Sequence, residues 1–358
     1  MNSINVFVTG VGGGGHGEQI VKALKIADTN YTIIGGDVTP YSKGLADVHH
    51  AYILPPADSS NYIESLIKIC KMHGVSALFH GSEPELKAMS ASRKSLENQG
   101  LFLPLNPEHV IETCMDKLKT LEFLKRNGFH FPDFLKIAST EDLEYFDKFP
   151  AVLKPSVGSG GSANTFLAQN MEELLCFGRY LLSIYPEFIV QEYVGSPDCE
   201  YTVGVLTSMD GDLLNSIAVK RNIISSLSNC VKVKNRTQNR ALGEILSISS
   251  GISQGEIGSF PEVTRQCEEI ALALGARGPL NIQCRLIDGK AYTFEINPRF
   301  SGTTSLRAMV GYNEPDVLIR KHVMNEEIKP YFEYGSGVIL RGLSETLLDS
   351  EDLLGMSI

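Results

Sequence analysis

The sequence lacks the features of a protein that binds nucleic acid, spans a membrane or depends on disulfides. Its 42 acidic and 32 basic residues give a net charge of −10, which argues against a general surface for nucleic acid or anionic lipid. No apolar run approaches the thickness of a bilayer, and the N-terminal MNSINVFVTG has no basic region before an apolar stretch. We therefore expect a cytoplasmic protein with no nucleic-acid or membrane partner, in which a polyanionic ligand would meet a local cluster of basic groups.

Paired-cysteine motifs and the usual phosphate loop are also missing. The seven cysteines are scattered, their number is odd and none forms C-x-x-C, so we expect free thiols in a reducing compartment. The P-loop signature G-x-x-x-x-G-K-[ST] is absent. What remains is an ordinary globular composition, 43% hydrophobic and 21% charged, in a chain whose 358 residues predict two or three domains.

Strand and helix signals alternate through the first hundred residues. INVFVTG, YTIIGGD and VSALFHGS are typical of strands, and helical stretches such as GEQIVKALKIA separate them. Because the apolar runs do not alternate with polar residues, we expect strands buried on both faces of a parallel sheet. The pattern predicts an open α/β domain over residues 1–106.

The glycine-rich stretch VTGVGGGGHG fits a dinucleotide site. Gly10, Gly12 and Gly15 have the spacing G-x-G-x-x-G, and Asp37 ends the next predicted strand, about where a Rossmann domain binds ribose. One hypothesis is therefore an NAD(P)-dependent oxidoreductase. That hypothesis needs a catalytic acid–base pair near residues 80–150 and leaves the motifs later in the chain unexplained.

The densest chemistry lies in FEINPRFSGTTS. Glu295 and Asn297 are two apart on a predicted strand and so share a face, while Gln283 lies on the partner strand of the hairpin. Three oxygen-bearing side chains suit Mg²⁺, which completes its shell with water and phosphate. The alternative is a polar sheet face that only meets solvent or its neighbours.

The hairpin turn decides whether Gln283 joins the other two side chains. An odd loop, such as three residues ending in a left-handed glycine, brings Gln283 beside Glu295, whereas a two-residue Asp288-Gly289 turn puts it on the opposite face. If the three side chains act together, the loop must be odd or the hairpin must contain a bulge.

Three further stretches each allow two interpretations. In AVLKPSVGSGGSANT, Lys154 and a glycine-rich loop suit a phosphate, or the loop is a surface hairpin. In IVQEYVGSPDCEYTV, a strand that breaks at Gly195 and Pro197 can offer backbone groups to a base, or is a plain hairpin. Lys117, in ETCMDKLKTLEFLKRNG, is a phosphate ligand or a solvated helix residue.

The order of the stretches DK, LKP with its glycine-rich loop, QEYV…E and NIQ…FEINPR resembles the ATP-grasp superfamily over roughly residues 107–310. Within this superfamily the chain resembles single-unit proteins that are similar to one half of the carbamoyl-phosphate synthase large subunit. The resemblance implies a mixed α/β and α+β protein, with an N-terminal open parallel α/β (pre-ATP-grasp) domain over 1–106. A two-lobed ATP-grasp fold with antiparallel sheets would follow, its small lobe at 107–190 and its large lobe, with the metal site, at 191–358.

The resemblance also implies a role for each motif. Lys117 and Lys154 would hold the ATP phosphates, and Arg299 would lie against the transferring phosphoryl group. The closing loop would consist of Gly158, Ser159, Gly160 and Gly161. The nucleoside would contact Glu192, Tyr193 and Val194 through its adenine and Glu200 through its ribose. Mg²⁺ would be bound by Gln283, Glu295 and Asn297, with Glu295 bridging two ions.

The implied reaction is an ATP-dependent carbon–nitrogen ligation. A small-molecule carboxylate would attack the γ-phosphate, an amine would displace phosphate from the acyl phosphate, and ADP and phosphate would be released. The segment 222–260, rich in Ser, Asn and Gly, would act with the closing loop as a lid, and a homodimer is compatible with the resemblance. One grasp unit without a glutaminase pattern argues against carbamoyl phosphate synthesis, and a non-catalytic ATP-binding module is a further alternative.

The substrate side of the site is less defined. Its candidates are Arg221, Arg307, Glu83 and His16. The resemblance implies that the N-terminal glycine loop helps to form the substrate pocket. For the arginines we favour a structural or solvated role, and a lone loop histidine is usually exposed. Glu83 follows a strand end, where ligands collect, but Ser82 and Glu85 fit a helix capping box, which we favour.

Overall fold

The secondary structure alternates in the N-terminal third and is mainly antiparallel after it. The computed structural model describes residues 3–158, 163–225 and 227–346, so the predicted loop residues Ser159, Gly160 and Gly161 lie outside the described residues. The helices are α1 (His16–Lys25), α2 (Tyr62–His73), α3 (Glu83–Ala91), α4 (Arg93–Glu97), α5 (Glu108–Cys114), α6 (Lys117–Arg126), α7 (Met171–Leu182), α8 (Pro261–Leu274), α9 (Thr304–Ala308) and α10 (Glu314–His322). The strands are β1 (Ile4–Thr9), β2 (Tyr31–Asp37), β3 (His50–Ile53), β4 (Ala77–Phe79), β5 (Phe134–Ile137), β6 (Ala151–Pro155), β7 (Phe166–Ala168), β8 (Phe188–Glu192), β9 (Glu200–Thr207), β10 (Leu213–Arg221), β11 (Asn229–Lys234), β12 (Ile245–Ser249), β13 (Gly255–Gly258), β14 (Pro279–Ile287), β15 (Lys290–Asn297) and β16 (Gly337–Ile339). Over these ranges no helix combines the length and the apolar character needed to cross a membrane.

The N-terminal sheet is parallel and has the order β3-β2-β1-β4. Val6, Phe7 and Val8 of β1 are fully buried because helices cover both faces of the sheet, which confirms the predicted open α/β arrangement. The sequence prediction did not include β3. Its four residues, HAYI, begin with an exposed histidine and are otherwise only half-buried, and pairing with β2 defines them as a strand.

The rest of the chain builds antiparallel sheets, as predicted. One sheet has four strands in the order β5-β8-β6-β7, a second has six in the order β15-β14-β9-β10-β13-β16, and β11 pairs with β12 separately. Within the segment 222–260, β13 returns to the six-stranded sheet beside β10, in agreement with the sequence. The boundary predicted at residue 190 falls inside β8, and the division into lobes stays a prediction.

The stretch after Pro107 forms two helices, α5 and α6. The carboxylate of Asp116 accepts hydrogen bonds from the N–H groups of Leu118 (2.9 Å) and Lys119 (3.2 Å), which starts a new helix at Lys117. An aspartate at this position satisfies amides that a helix leaves without partners in its first turn. The break therefore puts Lys117 at the first position of a helix, where its side chain reaches the site described below.

The N-terminal domain packs against α10, which follows the antiparallel strands β14 and β15 in the chain. Asn313 Nδ2 donates to Ala23 O (2.8 Å) and Tyr31 Oη donates to Asp316 Oδ1 (2.7 Å), which joins α10 to α1 and β2. One apolar cluster also runs from β1 to β10 and α10. This packing holds the loop before α1 against the antiparallel sheets. The helix α10 was not predicted.

Candidate active site

A cavity of about 320 Å³ lies where β6 and β8 face β9, β14 and β15, with the N-terminal glycine loop at one end. This size is in the range of small-molecule sites. Its charged lining is dominated by cations: Lys117, Lys154, Arg221, Arg285 and Arg299, against Glu192, Glu200 and Glu295. In a chain of net charge −10, such a surplus marks a site for an anion, and it is the local basic cluster that the composition required.

A bulge in the β14–β15 hairpin brings the predicted metal ligands together. The turn has only two residues, Asp288 and Gly289, with φ of +49° and +74°. The register then shifts by one residue, because Phe294 is inserted, and Gln283 pairs with Glu295. The three-residue loop is therefore wrong, while the bulged alternative is confirmed. Gln283 faces the cavity because of Phe294 and not because of the turn.

The bulge also supplies a partner for a buried lysine. Lys154, at the end of β6, is 6% exposed, and its Nζ donates to the backbone carbonyl of Phe294 at 3.2 Å. Burial lowers the pKa of Lys154 to about 7, with Glu295 opposing and Lys117 reinforcing the shift. An amine in this state can gain a proton when an anion arrives.

Glu295 is a carboxylate surrounded by cations. Burial by itself would raise the pKa of Glu295, but Lys117, Lys154 and Arg299 outweigh it and lower the pKa. Asn297 is linked to both sides of this cluster, since its Nδ2 donates to Glu295 Oε1 (3.3 Å) and its Oδ1 accepts from Arg299 Nη2 (3.1 Å). Glu295 is therefore ionised and available to a cation.

The donor chemistry of this cluster fits Mg²⁺. Glu295 gives an ionised carboxylate, and Asn297 and Gln283, each with a side-chain amide oxygen, line the same cavity. Gln283 Oε1 accepts from Arg221 Nη1 at 3.3 Å, which still leaves the amide oxygen a second lone pair. Among the described residues no group of three or more His, Cys, Asp or Glu side chains could hold a metal, which is compatible with an ion that needs few protein ligands.

A second carboxylate, Glu200, is balanced by two arginines. Its oxygens accept from Arg221 (3.0 Å) and Arg285 (3.0 Å), and the Arg285 guanidinium also donates to Val194 O (3.0 Å) and lies 4.3 Å from the centre of the Tyr193 ring. Glu200 lines the cavity. Its contact with ribose stays a prediction. Arg285 was not among the predicted residues, although it lies two residues after Gln283 on β14.

The prediction that Arg221 binds substrate needs a correction. It is 4% exposed, and its guanidinium donates to Glu200, to Gln283 and to the carbonyl of Ser250. These contacts make it a structural link between β9, β14 and the segment after β12, and they speak against a substrate carboxylate as its partner.

Two of the three backbone N–H groups in the stretch predicted to contact adenine are hydrogen-bonded within the protein. The N–H of Glu192 donates to Asp133 O (2.8 Å) and that of Tyr193 donates to Pro150 O (2.9 Å). Val194 has no such bond from its N–H within the described part of the chain, and all three residues line the cavity. Val194 therefore retains a backbone donor for a ligand.

Two backbone amides of the glycine loop before α1 are already hydrogen-bonded to acidic side chains of the protein. Gly12 N–H donates to Asp37 Oδ2 (2.6 Å), and Gly14 N–H donates to Glu18 Oε2 (2.7 Å). A dinucleotide would need such amides for its pyrophosphate and Asp37 for its ribose. These bonds speak against the oxidoreductase hypothesis.

Two substrate candidates lie beside this loop. His16 is not an exposed loop residue, because it begins α1, is 6% exposed and is bonded to His80, although it does line the cavity. Ser82 caps α3 by accepting from Glu85 N–H, and Glu85 accepts from Gly81 N–H, so the favoured cap is confirmed. Glu83 also forms an ion pair with Arg299 at 3.1 Å.

The prediction that Arg307 binds substrate is also corrected by the structure. Its side chain is fully buried, it is absent from the residues that line the cavity, and its Nη1 lies 2.9 Å from Glu314 Oε1. A substrate cannot reach it without opening the core, so Arg307 is a structural residue.

Two family models match the chain. Residues 114–303 match the ATP-grasp domain, and residues 9–103 match the PylC-like N-terminal domain. The first match covers more than half of the chain, and the protein therefore belongs to the ATP-grasp family.

Individual relatives are distant. The carbamoyl phosphate synthase large chain of Thermoplasma acidophilum is 26% identical over 218 residues, which are 59% of this chain and 19% of that one. The chain thus spans about a fifth of the length of this relative. An L-amino acid ligase from Bacillus licheniformis has a TM-score of 0.61 at 17% identity, covering 92% of this chain and 78% of the other. The biotin carboxylase domain of a Hydrogenobacter thermophilus 2-oxoglutarate carboxylase, solved with MgADP and bicarbonate, has a TM-score of 0.59 at 16% identity, covering 88% and 68%. At these identities the solved structures establish a shared fold.

Proposed function

We propose that the protein is an ATP-dependent carboxylate–amine ligase that forms an acyl phosphate and releases ADP and phosphate. The observation that carries this proposal is the cavity in which three cations, Lys117, Lys154 and Arg299, act on one carboxylate, Glu295. A triphosphate would balance this positive charge. Membership of the ATP-grasp family supports ATP as the nucleotide.

Each residue then has a part in phosphoryl transfer, which depends on positioning and charge neutralisation. Lys154, held by Phe294 O, and Lys117, at the start of α6, would bind phosphate oxygens. Arg299, held by Glu83 and Asn297, would stabilise the charge of the transferring group. Mg²⁺, held by Glu295 and Asn297 with Gln283, would supply Lewis-acid neutralisation of the phosphates. The walls of the cavity would shield an acyl phosphate from water.

The substrates in this proposal are a small-molecule carboxylate and an amine, and the active form can be a homodimer. We place the protein in the cytoplasm, in keeping with its seven cysteines, all of which are free thiols.

The test is a screen that works whatever the natural amine is. Purified protein with MgATP is offered a panel of carboxylates, including the twenty common amino acids and the simple dicarboxylates, with hydroxylamine as a general nucleophile. We expect one or more carboxylates to produce ADP and a hydroxamate together. Binding of ATP without turnover would favour the non-catalytic module, and binding of NAD without ATP would favour the oxidoreductase.

A further inference from the structure

Two histidines at the N-terminal end of the cavity have no part in the reaction proposed so far. His16 lines the cavity beside Gly14 and Gly15, and His80 follows β4. Their side chains are 6% and 2% exposed. Burying two imidazoles costs free energy unless their polar atoms find partners, so their placement beside a ligand cavity calls for a chemical reason.

The contact between the rings leaves one nitrogen of His16 for a ligand. His16 Nε2 lies 3.2 Å from His80 Nδ1, and the rings meet edge to face with centroids 5.1 Å apart. Within the described chain His80 is the hydrogen-bond partner of the His16 ring. His80 therefore fixes the ring, and Nδ1 is the nitrogen left for a molecule in the cavity.

The surroundings keep the His16 ring uncharged. Burial lowers its pKa well below the usual value, and Arg299 and then His80 lower it further. His16 and Arg299, which we assign to the transferring phosphoryl group, also line the same cavity. A neutral imidazole can accept a proton there.

Among the described residues of the cavity, the other bases are less available. Lys154, whose pKa is about 7, donates to Phe294 O and belongs to the groups that we assign to the phosphates. Glu200 is committed to two arginines, and Glu295 belongs to the cluster that we assign to Mg²⁺. Glu192 lies at the end of β8 among the residues that we assign to adenine. His16 is thus the base that remains at the end of the cavity where the glycine loop lies.

We infer that His16 is the general base for the amine nucleophile, and that His80 is a positioning residue that acts through it. The inference rests on the proposed function. The amine nitrogen attacks the carbonyl carbon of the acyl phosphate, a C–N bond forms, and the C–O bond to phosphate breaks with its electron pair leaving on phosphate. The attacking nitrogen becomes cationic and loses one proton to His16 Nδ1. That proton grows more acidic as the C–N bond forms, so a weak base is sufficient.

The experiment compares two nucleophiles in matched variants. Hydroxylamine is a weakly basic nucleophile whose nitrogen gives up its proton readily after attack, whereas ammonia or the more basic amine of an amino acid depends on the base. Wild type, His16→Gln, His80→Asn, His80→Ala and the exposed control His50→Gln are assayed with the carboxylate found in the screen. The nucleophiles are hydroxylamine, ammonium chloride and a mixture of the twenty common amino acids. In His16→Gln the amide can keep the contact with His80 but supplies no base.

We expect His16→Gln to lose about 100-fold in kcat with the amines and to stay within about threefold of wild type with hydroxylamine. His80→Asn, whose oxygen replaces Nδ1 as an acceptor, should retain most amine activity, whereas His80→Ala should lose it. The exposed control His50→Gln should match wild type.

The outcomes separate the inference from the proposed function. If wild type makes no hydroxamate from any carboxylate, the proposed function is wrong. If wild type makes hydroxamate and His16→Gln lowers both nucleophiles equally, His16 is only structural and the inference is overturned. A wild type that makes hydroxamate but no product with any amine overturns it too, because the nucleophile is then not an amine. Full amine activity in His80→Ala would remove the positioning role.

Discussion

Two buried charge clusters in this protein differ in a way that separates structure from function. In the pair Arg307–Glu314, both side chains are fully buried, the guanidinium reaches both carboxylate oxygens at 2.9 and 3.2 Å, and Asn281 and Thr304 add hydrogen bonds. Here the two charges are balanced and most of the polar atoms have partners. The pair acts as a core contact between α9 and α10.

In the cluster around Glu295, by contrast, the charges are not balanced. Three cations act on one carboxylate, the group opens on a cavity, and one of its lysines has a pKa of about 7. Such an excess of positive charge is unfavourable until an anion arrives. A balanced buried pair therefore indicates structure, whereas an unbalanced cluster beside a cavity indicates a ligand site.

The largest expected effect breaks the balanced pair. Arg307→Met should lower the free energy of unfolding by about 3–5 kcal/mol, because it leaves Glu314 buried without its cation. Urea titration measures the change. The double variant Arg307→Met/Glu314→Leu should recover much of it, since both charges are then gone, and a double variant no more stable than the single one would contradict this account.

Next comes the carboxylate of the unbalanced cluster. Glu295→Gln keeps the shape but removes the negative charge, and we expect carboxylate-dependent ADP release to fall by about 100-fold or more. Its stability should change less than that of Arg307→Met, because Lys154, with a pKa of about 7, can release its proton. Asp37→Asn, on the other side of the glycine loop, is the control and should keep ATP turnover. Normal turnover by Glu295→Gln would remove Glu295 from the site.

The pH dependence of nucleotide binding tests Lys154 directly. Its pKa is about 7 in the free protein, and a bound triphosphate should raise it, so binding takes up a proton above pH 7. The affinity for ATP, measured by calorimetry with EDTA present, should therefore weaken up to about tenfold per pH unit as the pH rises above 7.

Two variants sharpen this test. Lys154→Arg stays charged throughout, so its affinity should not follow pH in this range. Lys154→Met should bind weakly at every pH. If wild type and Lys154→Arg depend on pH in the same way, the proton is taken up by another group.

The smallest effect concerns a surface pair that resembles neither cluster. Lys136 and Glu187 lie 2.6 Å apart, but their side chains are 47% and 39% exposed. Glu187→Gln should leave both the urea midpoint and ATP turnover unchanged within measurement error, because solvent already screens this pair. A clear loss of stability would mean that exposure does not distinguish the weak ion pairs of this protein from the strong ones.

Local patterns predicted much of the fold. Non-alternating apolar runs indicated the parallel strands β1, β2 and β4, and a serine three residues before a glutamate indicated the cap of α3. The strands β3, β5 and β7 were missed because, unlike the equally short but fully buried β4, they are only partly buried and are defined by their neighbours in the sheets.

The candidate site was predicted in its members more than in its geometry. Lys117, Lys154, Glu295 and Arg299 all line one cavity, as expected. Arg307 was named as a substrate candidate beside a structural alternative, and one sequence cannot show that Glu314, one helix later, already neutralises it. Of the two alternatives left open for the hairpin, an odd loop or a bulge, the structure has the bulge, because Phe294 shifts the register after a two-residue turn.

By itself, the sequence determined the α/β beginning, the antiparallel remainder, the membership of the ATP-grasp family and the kinds of side chain in the site, because periodicity, caps and motifs depend on residues close together in the chain. The tertiary structure alone decided which charges are balanced. Lys154 meets the carbonyl of Phe294, and His16 meets His80, across separations of 140 and 64 residues. Such contacts set burial and the local electric field, and these are properties of neighbours in space.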